Sequence, residues 1–167
     1  MKVFFIVVFV ILSVVAPIAV VVIAYQNWAS VDQGVYRAQV SGDISVMTTR
    51  IDEVTATMEA RGMTHGYSAL IFKSPSTDVS LDYDALKQLS ERGHLMSTKD
   101  KTSVEYQTAL SDMRGTLREL GINAFWWTVW NTWLTWGCIG SWIGLWVSTS
   151  VKAQRSPYSE PQKAETA

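Results

Sequence analysis

Two uncharged apolar stretches, one near each end of the chain, flank a polar central segment. They are residues 3–25 and residues 122–147, and neither contains Asp, Glu, Lys or Arg. The hydrocarbon core of a bilayer is about 30 Å thick, which a helix of about 20 residues crosses. Backbone amides are costly to leave unpaired in lipid, so each stretch is expected to be helical. The pattern therefore predicts two transmembrane helices.

The first apolar stretch has two interpretations. Lys2 before it and the small residue Ala24 near its end are typical of a cleaved signal peptide. The apolar region of a signal peptide, however, has about 7–15 residues, and this stretch is longer. We therefore favour a retained signal anchor at residues 1–25, kinked at Pro17, since membrane helices tolerate proline.

The second apolar stretch contains seven of the eight tryptophans of the chain. Successive residues of a helix are rotated by about 100° around its axis. On one side of the predicted helix, this rotation places three tryptophans first and four small residues after them, which we call the tryptophan face and the glycine face. The tryptophan face consists of Trp126, Trp130 and Trp133, and the glycine face of Gly137, Gly140, Ser141 and Gly144. Small residues let helix backbones approach closely in lipid. We therefore expect the glycine face to pack against the first span or another subunit, and Asn131 to form an interhelical hydrogen bond.

The central segment, residues 26–121, repeats apolar residues at helical spacing. Alternating steps of four and three define two seams, which are Val40, Ile44, Met47, Ile51, Val54 and Met58, and then Tyr106, Leu110, Met113, Leu117 and Leu120. In water such a stripe must be covered by another element. Because one seam follows the first span and the other precedes the second, we expect the two seams to pair antiparallel.

Two further features complete the predicted domain. The apolar positions before residue 40 are out of phase with the first seam, so the helix either continues with a local shift or stops, with Asp43 capping a new helix. A shorter helix over residues 81–92 is expected to end at Gly93. The predicted fold is all-α, with two transmembrane helices flanking an antiparallel hairpin or small three-helix, coiled-coil-like bundle. Residues 148–167 form a disordered polar tail.

The charge balance and the absence of known motifs argue against several classes of function, but they do not indicate an activity. The central segment has ten basic and thirteen acidic residues, a near balance that argues against nucleic-acid binding. We find no sequence motif of a catalytic triad, a phosphate-binding loop, a zinc site or a calcium loop. We therefore expect no enzymatic activity, no cofactor and no metal. The absence of ionisable residues from both apolar stretches argues against an ion-coupled transporter.

The expected function is that of a double-pass structural or interaction protein, an accessory subunit of a larger assembly in the inner membrane. Its expected partners are the lipid bilayer and either a second copy of the chain or other membrane subunits. Two alternatives are a membrane-anchored sensor with a ligand-binding helical bundle and a phage-type protein that perturbs or blocks the membrane. We expect cytoplasmic termini and an extracytoplasmic central domain, although basic residues flanking the spans are too evenly balanced to decide the orientation.

Overall fold

The computed structural model describes residues 11–154, which fold as helices joined by short turns and one longer loop. The helices are α1 (Ala16–Ser30), α2 (Asp32–Gln39), α3 (Ile44–Ala60), α4 (Val79–Ser97), α5 (Val104–Glu119), α6 (Ala124–Asn131) and α7 (Trp133–Gln154). Extended structure among these residues is limited to an isolated β-bridge between Tyr67 and Asp78. The prediction of an all-α chain with a helical bundle is confirmed for this part of the chain.

The N-terminal apolar helix continues from α1 into α2. The amide of Val31 donates to the carbonyl of Asn27, and the amide of Val35 donates to the carbonyl of Val31, both at 2.9 Å. The two helices therefore form one rod, Ser13–Gln39. Among the described residues, this rod is the one helix long and apolar enough to cross a membrane. A signal sequence has the same properties.

A π-helical turn, Ile11–Val15, immediately precedes α1, of which Pro17 is the second residue. Proline has no backbone N–H, and its ring collides with the carbonyl four residues earlier, here that of Ser13. A π turn changes the local hydrogen-bonding step and so accommodates this collision. The beginning of the predicted first span, residues 3–10, lies outside the described residues, as does most of the predicted tail.

Helices α2 to α5 pack as a closed bundle. Helix α3 packs between α2 and α4, and α5 packs against the same two helices. The Tyr83 hydroxyl donates to the Glu59 carboxylate, which brings the start of α4 to the end of α3. The amide of Ile44 donates to the Tyr106 hydroxyl at 2.8 Å, which brings the start of α5 to the start of α3. Consequently α3 is antiparallel to α4, whereas α3 and α5 run in the same direction.

The chain reverses direction between α2 and α3. Helix α2 ends at Gln39, and the Asp43 carboxylate accepts a hydrogen bond from the Ser45 amide at 2.8 Å, which caps α3. Of the two alternatives for this segment, the stop with a new cap is therefore observed. Because α2 folds back onto α3, the predicted antiparallel pairing of the two seams is wrong. A fourth helix, α2, joins the predicted three-helix bundle.

Gly93 does not end α4, which continues to Ser97. A Cβ at Gly93 would lie 2.1 Å from Thr48 Oγ1 and 3.1 Å from Met113 Cε. The missing side chain therefore allows α4 to approach both α3 and α5 closely. The prediction of a helix stop is wrong because this glycine serves helix packing instead.

The second apolar stretch is interrupted at Thr132, whose backbone is extended. The side chains of Asn131 and Thr132 donate to the carbonyls of Trp127 and Thr128, and such bonds compete with regular helix continuation. The chain divides here into two compact units, of which one is Ala19–Thr132 and the other includes the described residues 11–18 and 133–154. A single helix over residues 122–147 is therefore wrong, and a second membrane crossing is not confirmed.

Candidate functional site

The predicted seams lie mainly inside the bundle. Nine of the eleven residues are buried, which are Ile44, Met47, Ile51, Val54, Met58, Tyr106, Leu110, Met113 and Leu117. Leu120 is partly buried against this core. Val40 is 58% exposed, because α2 ends immediately before it and the chain turns away. The seams therefore hold the bundle together and leave little of their surface for a partner.

A polar junction connects the rod with α6 and with the end of α3. We define it as Asn27, Ser30, Arg61 and Thr128. The buried Asn27 side chain donates to Thr128 Oγ1 at 2.6 Å and accepts from the Arg61 guanidinium. Arg61 also donates to Ser30 Oγ at 3.3 Å. Because buried polar groups are costly unless paired, these bonds select one alignment of the rod against α6.

Asp32 connects the rod with the start of α6. Its carboxylate accepts a hydrogen bond from the Ala124 amide at 3.2 Å, where the helix dipole favours negative charge. Burial nevertheless dominates and raises the pKa of Asp32 from 3.8 to about 6, and the Ala124 hydrogen bond only partly opposes this shift. Asp32 lies beyond Trp28 and Val31, in the part of the rod that belongs to the bundle. Burial therefore destabilises the ionised form of Asp32, although its carboxylate accepts this hydrogen bond.

The loop between α3 and α4 is fastened to α6 by two side chains. Trp127 Nε1 donates to the His65 carbonyl at 2.8 Å, and Asn131 Nδ2 donates to the Tyr67 carbonyl at 3.0 Å. Gly66 lies between them with a φ of 96°, and a Cβ there would lie 3.0 Å from Asn131 Oδ1. The predicted interhelical role of Asn131 is therefore corrected, because its amide binds this loop and its own helix.

The predicted tryptophan face is divided between two helices. Trp126 and Trp130 lie one turn apart on α6, with ring centroids 5.6 Å apart and ring planes 12° from parallel. Trp133 is the first residue of α7 and is 75% exposed. Trp133 therefore belongs to a different helix and a different compact unit from the other two tryptophans.

The glycine face lies on α7. Among the described residues, no atom lies within 4 Å of a Cβ built at Gly137, Gly140 or Gly144. The Ser141 hydroxyl donates to the carbonyl of Cys138, within the same helix, at 2.8 Å. Helix α7 contacts the π-helical turn Ile11–Val15 of the first apolar stretch. Close packing of the glycine face, against the first span or against another subunit, stays a prediction.

A polar cleft of about 400 Å³ lies between the rod and α3. It opens beside the contact of Gly34 with Val54, where a Cβ at Gly34 would lie 2.5 Å from Val54 Cγ2. Arg37, Arg50 and Glu53 are the charged residues in its lining. The cleft is large enough for a small molecule, since ligand sites have volumes of about 300–1,000 Å³.

The sequence patterns did not single out Asn27, Asp32 or Arg61. Asn27 carried a usable signal, because it lies four residues before Val31 on the face that becomes buried. Arg61 carried no such signal in the sequence, because the side chains that it binds, Asn27 and Ser30, are more than thirty residues earlier in the chain. In the part of the chain described, no group of three or more His, Cys, Asp or Glu residues is placed to hold a metal ion.

Comparisons with protein-family models, with curated proteins and with solved structures give no match for this chain. The functional proposal therefore depends on the geometry alone.

Proposed function

We propose that the protein is a double-pass membrane structural or interaction protein, an accessory subunit of a larger assembly. Helix α1 anchors the four-helix bundle to the bilayer, and the glycine face of α7 contacts a membrane helix of a second chain. One observation carries the proposal: the bundle buries most of its apolar residues in one core, whereas α1 and α7 expose most of their large apolar residues. No catalytic role is part of the proposal.

The exposed apolar surface of α1 supports anchoring. Ile18 is 60% exposed, Val21 55% and Val22 49%, although they belong to one continuous apolar helix. A soluble protein rarely exposes such a contiguous surface, whereas lipid covers it without a protein partner. Tyr25 and Trp28 follow, with ring centroids 5.6 Å apart, and aromatic pairs of this kind are typical of the membrane–water interface.

The length and surface of α7 support a second crossing. Its 22 residues span about 33 Å, slightly more than the hydrocarbon core of a bilayer. Its exposed large apolar residues are Trp133, Trp136, Ile139, Trp142, Ile143, Trp146 and Val147. Two crossings would place both termini on the same side of the bilayer. If the first span is a signal anchor, that side is the cytoplasm and the bundle lies outside.

The membrane part of the proposal is tested by fractionating cells that produce the intact chain. We expect the chain in the membrane fraction, resistant to alkaline carbonate and extracted only by detergent. N-terminal sequencing of the extracted chain distinguishes a retained anchor from a cleaved signal peptide. An intact chain that stays in the aqueous fraction without detergent would contradict the proposal.

The interaction part is tested with a Gly140→Leu variant in mild detergent. The leucine fills the open glycine face, so we expect self-association or partner co-purification to weaken by about tenfold. Leucine favours helices more than glycine does, so loss of helix cannot explain the effect. Ile139→Phe adds bulk on the opposite side of α7 and serves as the matched control.

The outcomes of this comparison are distinct. Chemical cross-linking and the molecular mass in detergent reveal a second copy, and mass spectrometry of co-purifying proteins reveals a different subunit. Equal association of the two variants would contradict a role for the glycine face. A strictly monomeric wild-type chain without a co-purifying protein would contradict the interaction function altogether.

A further inference from the structure

We infer that the cleft between the rod and α3 binds a hydroxyl-bearing phosphate ester, with Arg37 and Arg50 as ligands of the phosphate group. This ligand site goes beyond the proposed anchoring and subunit contact. It depends on the construction of the cleft, on its unbalanced charge and on the donors that its arginines still have available.

The cleft is built into the backbone packing of the bundle. Gly34 brings α2 so close to α3 that a Cβ would overlap Val54 Cγ2. Beside this contact the helices separate and leave a recess of about 400 Å³. Because the bundle core fixes both walls, the recess is preformed, as small-molecule sites usually are.

The charged lining of the cleft is unbalanced. Arg37 and Arg50 contribute two guanidinium groups, and Glu53 contributes one carboxylate. Neither arginine takes part in an ion pair among those found in residues 11–154. Two guanidinium groups lining one recess repel each other, so an anion between them would be stabilised.

Arg50 is positioned by the end of α2. One of its guanidinium nitrogens donates to the Arg37 carbonyl, where the negative end of the helix dipole favours a cation. A guanidinium has five N–H donors, so several remain for a ligand. Their planar fork matches the oxygens of a phosphate group better than an ammonium does.

Glu53 determines which anion fits. A carboxylate accepts hydrogen bonds and repels a second negative charge, so it disfavours a ligand that is anionic over its whole surface. A phosphate ester with free hydroxyl groups satisfies both sides, because its phosphate faces the arginines and a hydroxyl donates to Glu53. The volume of the recess also exceeds the needs of a bare inorganic anion.

The ligand has two possible sources, a phospholipid headgroup and a free phosphate ester. Arg37 is twelve residues beyond Tyr25, or about 18 Å along a helix. The headgroup layer of each leaflet is only about 5–8 Å thick. In the proposed anchoring, on which this step rests, Tyr25 lies at the membrane interface. Arg37 is then too far from the headgroup layer to bind a lipid phosphate. We therefore favour a free phosphate ester.

Calorimetric titration of the full-length chain, reconstituted without free detergent in nanodiscs of neutral lipid, tests this site. The probes are glycerol 3-phosphate, inorganic phosphate and vesicles containing phosphatidylglycerol, at constant ionic strength set with chloride. We expect saturable binding of glycerol 3-phosphate, weaker binding of inorganic phosphate, and no added affinity for the anionic vesicles over neutral vesicles.

Matched arginine variants assign the binding to the cleft. Arg37→Gln and Arg50→Gln each remove one charge, and we expect each to weaken glycerol 3-phosphate binding by about tenfold or more. Arg118→Gln removes the same charge from an exposed position on α5 and is expected to leave binding unchanged. Circular dichroism and the melting temperature of each variant verify that it is folded.

Three outcomes would overturn the inference. They are the absence of saturable binding by the folded wild-type chain, equal weakening in Arg118→Gln, and unchanged binding in both cleft variants. Binding only to phosphatidylglycerol vesicles, lost in the cleft variants, would support the phosphate chemistry and overturn the free source. Membrane fractionation and the Gly140→Leu comparison are independent of these titrations, so a failure here is distinguishable from failure of the proposed function.

Discussion

Isoleucines in the bundle and in the apolar helices have opposite surroundings. Ile44 and Ile51 on α3 have no exposed surface, whereas Ile18 on α1 and Ile143 on α7 are 60% and 58% exposed. The difference follows from spacing, because α3 alternates apolar and polar residues with a helical period, whereas residues 16–24 of α1 are apolar on every side. An amphipathic helix can be covered by neighbouring helices, whereas a helix that is apolar all round needs lipid or a larger protein surface.

The two environments also meet on opposite faces of one helix. Ala24 and Asn27 of α1 are buried like Val31, which directly precedes α2, whereas Ile18 on the opposite side of α1 is 60% exposed. Asn27 lies on the buried face and bonds to Thr128 of α6.

Helices α6 and α7 show that amino-acid composition alone does not determine whether an apolar helix packs in the bundle. Both come from the same Trp-rich stretch, yet α6 contributes the buried Ala124 and Thr128 to the bundle unit. On α7, no atom of the described residues lies within 4 Å of a Cβ built at Gly140 or Gly144. One Trp-rich stretch thus supplies both a helix that packs in the bundle unit and a helix with an uncovered glycine face among the described residues.

The largest expected effect tests the burial difference itself. Ile51→Ala removes a fully buried side chain and is expected to lower the free energy of unfolding by about 2–5 kcal/mol. Val40→Ala, at a position that is 58% exposed, is expected to change it by less than about 0.5 kcal/mol. Urea unfolding of the full-length chain in detergent, followed by circular dichroism, measures both. Equal losses would contradict the assignment of these residues to different environments.

A second test concerns close packing between bundle helices. Gly93→Ala places a Cβ against Thr48 Oγ1 and is expected to destabilise the bundle by about 1–3 kcal/mol. Gly115→Ala is the matched control, because the added Cβ meets no atom within 4 Å. There we expect a stabilisation of about 0.5–1 kcal/mol, since alanine favours a helix over glycine. Thermal unfolding that shifts in the same direction for both variants would exclude the packing role of Gly93.

Much of the bundle could be predicted from residue spacing. The first seam predicts the buried face of α3, and Asp43 has the residue type of the cap that is observed. Spacing also places Leu110, Met113 and Leu117 on one face of α5. Each of these features depends on residues that are close together in the sequence, so a local pattern is sufficient to find them.

The remaining features depend on residues that are distant in the sequence. The Asn27–Thr128 bond joins positions 101 residues apart, and it is part of what assigns α6 to the bundle. Gly93 resembles a helix stop in the sequence, because its true neighbours, Thr48 and Met113, belong to other helices. The polar cleft likewise forms only after the chain reverses at residues 40–43. Local patterns cannot supply this information.

The smallest expected effect concerns Asp32, in the bundle part of the rod. Its pKa of about 6 in the folded chain exceeds the value of 3.8 expected without burial, so folding favours the protonated form. The contribution of Asp32 to stability is therefore present below pH 3.8 and is lost as the pH rises through about 6. Asp32→Asn keeps an acceptor for the Ala124 amide and removes the charge.

The variant should thus stabilise the bundle at pH 7.5 by about 1–2 kcal/mol, a value reduced for the partial exposure of Asp32. At pH 4, where the folded chain already carries the protonated form, the variant and the wild type should melt at nearly the same temperature. Melting curves at pH values between 4 and 7.5 measure this difference. A difference independent of pH would mean that Asp32 acts through its shape and hydrogen bond alone, and would contradict the raised pKa of its carboxyl group.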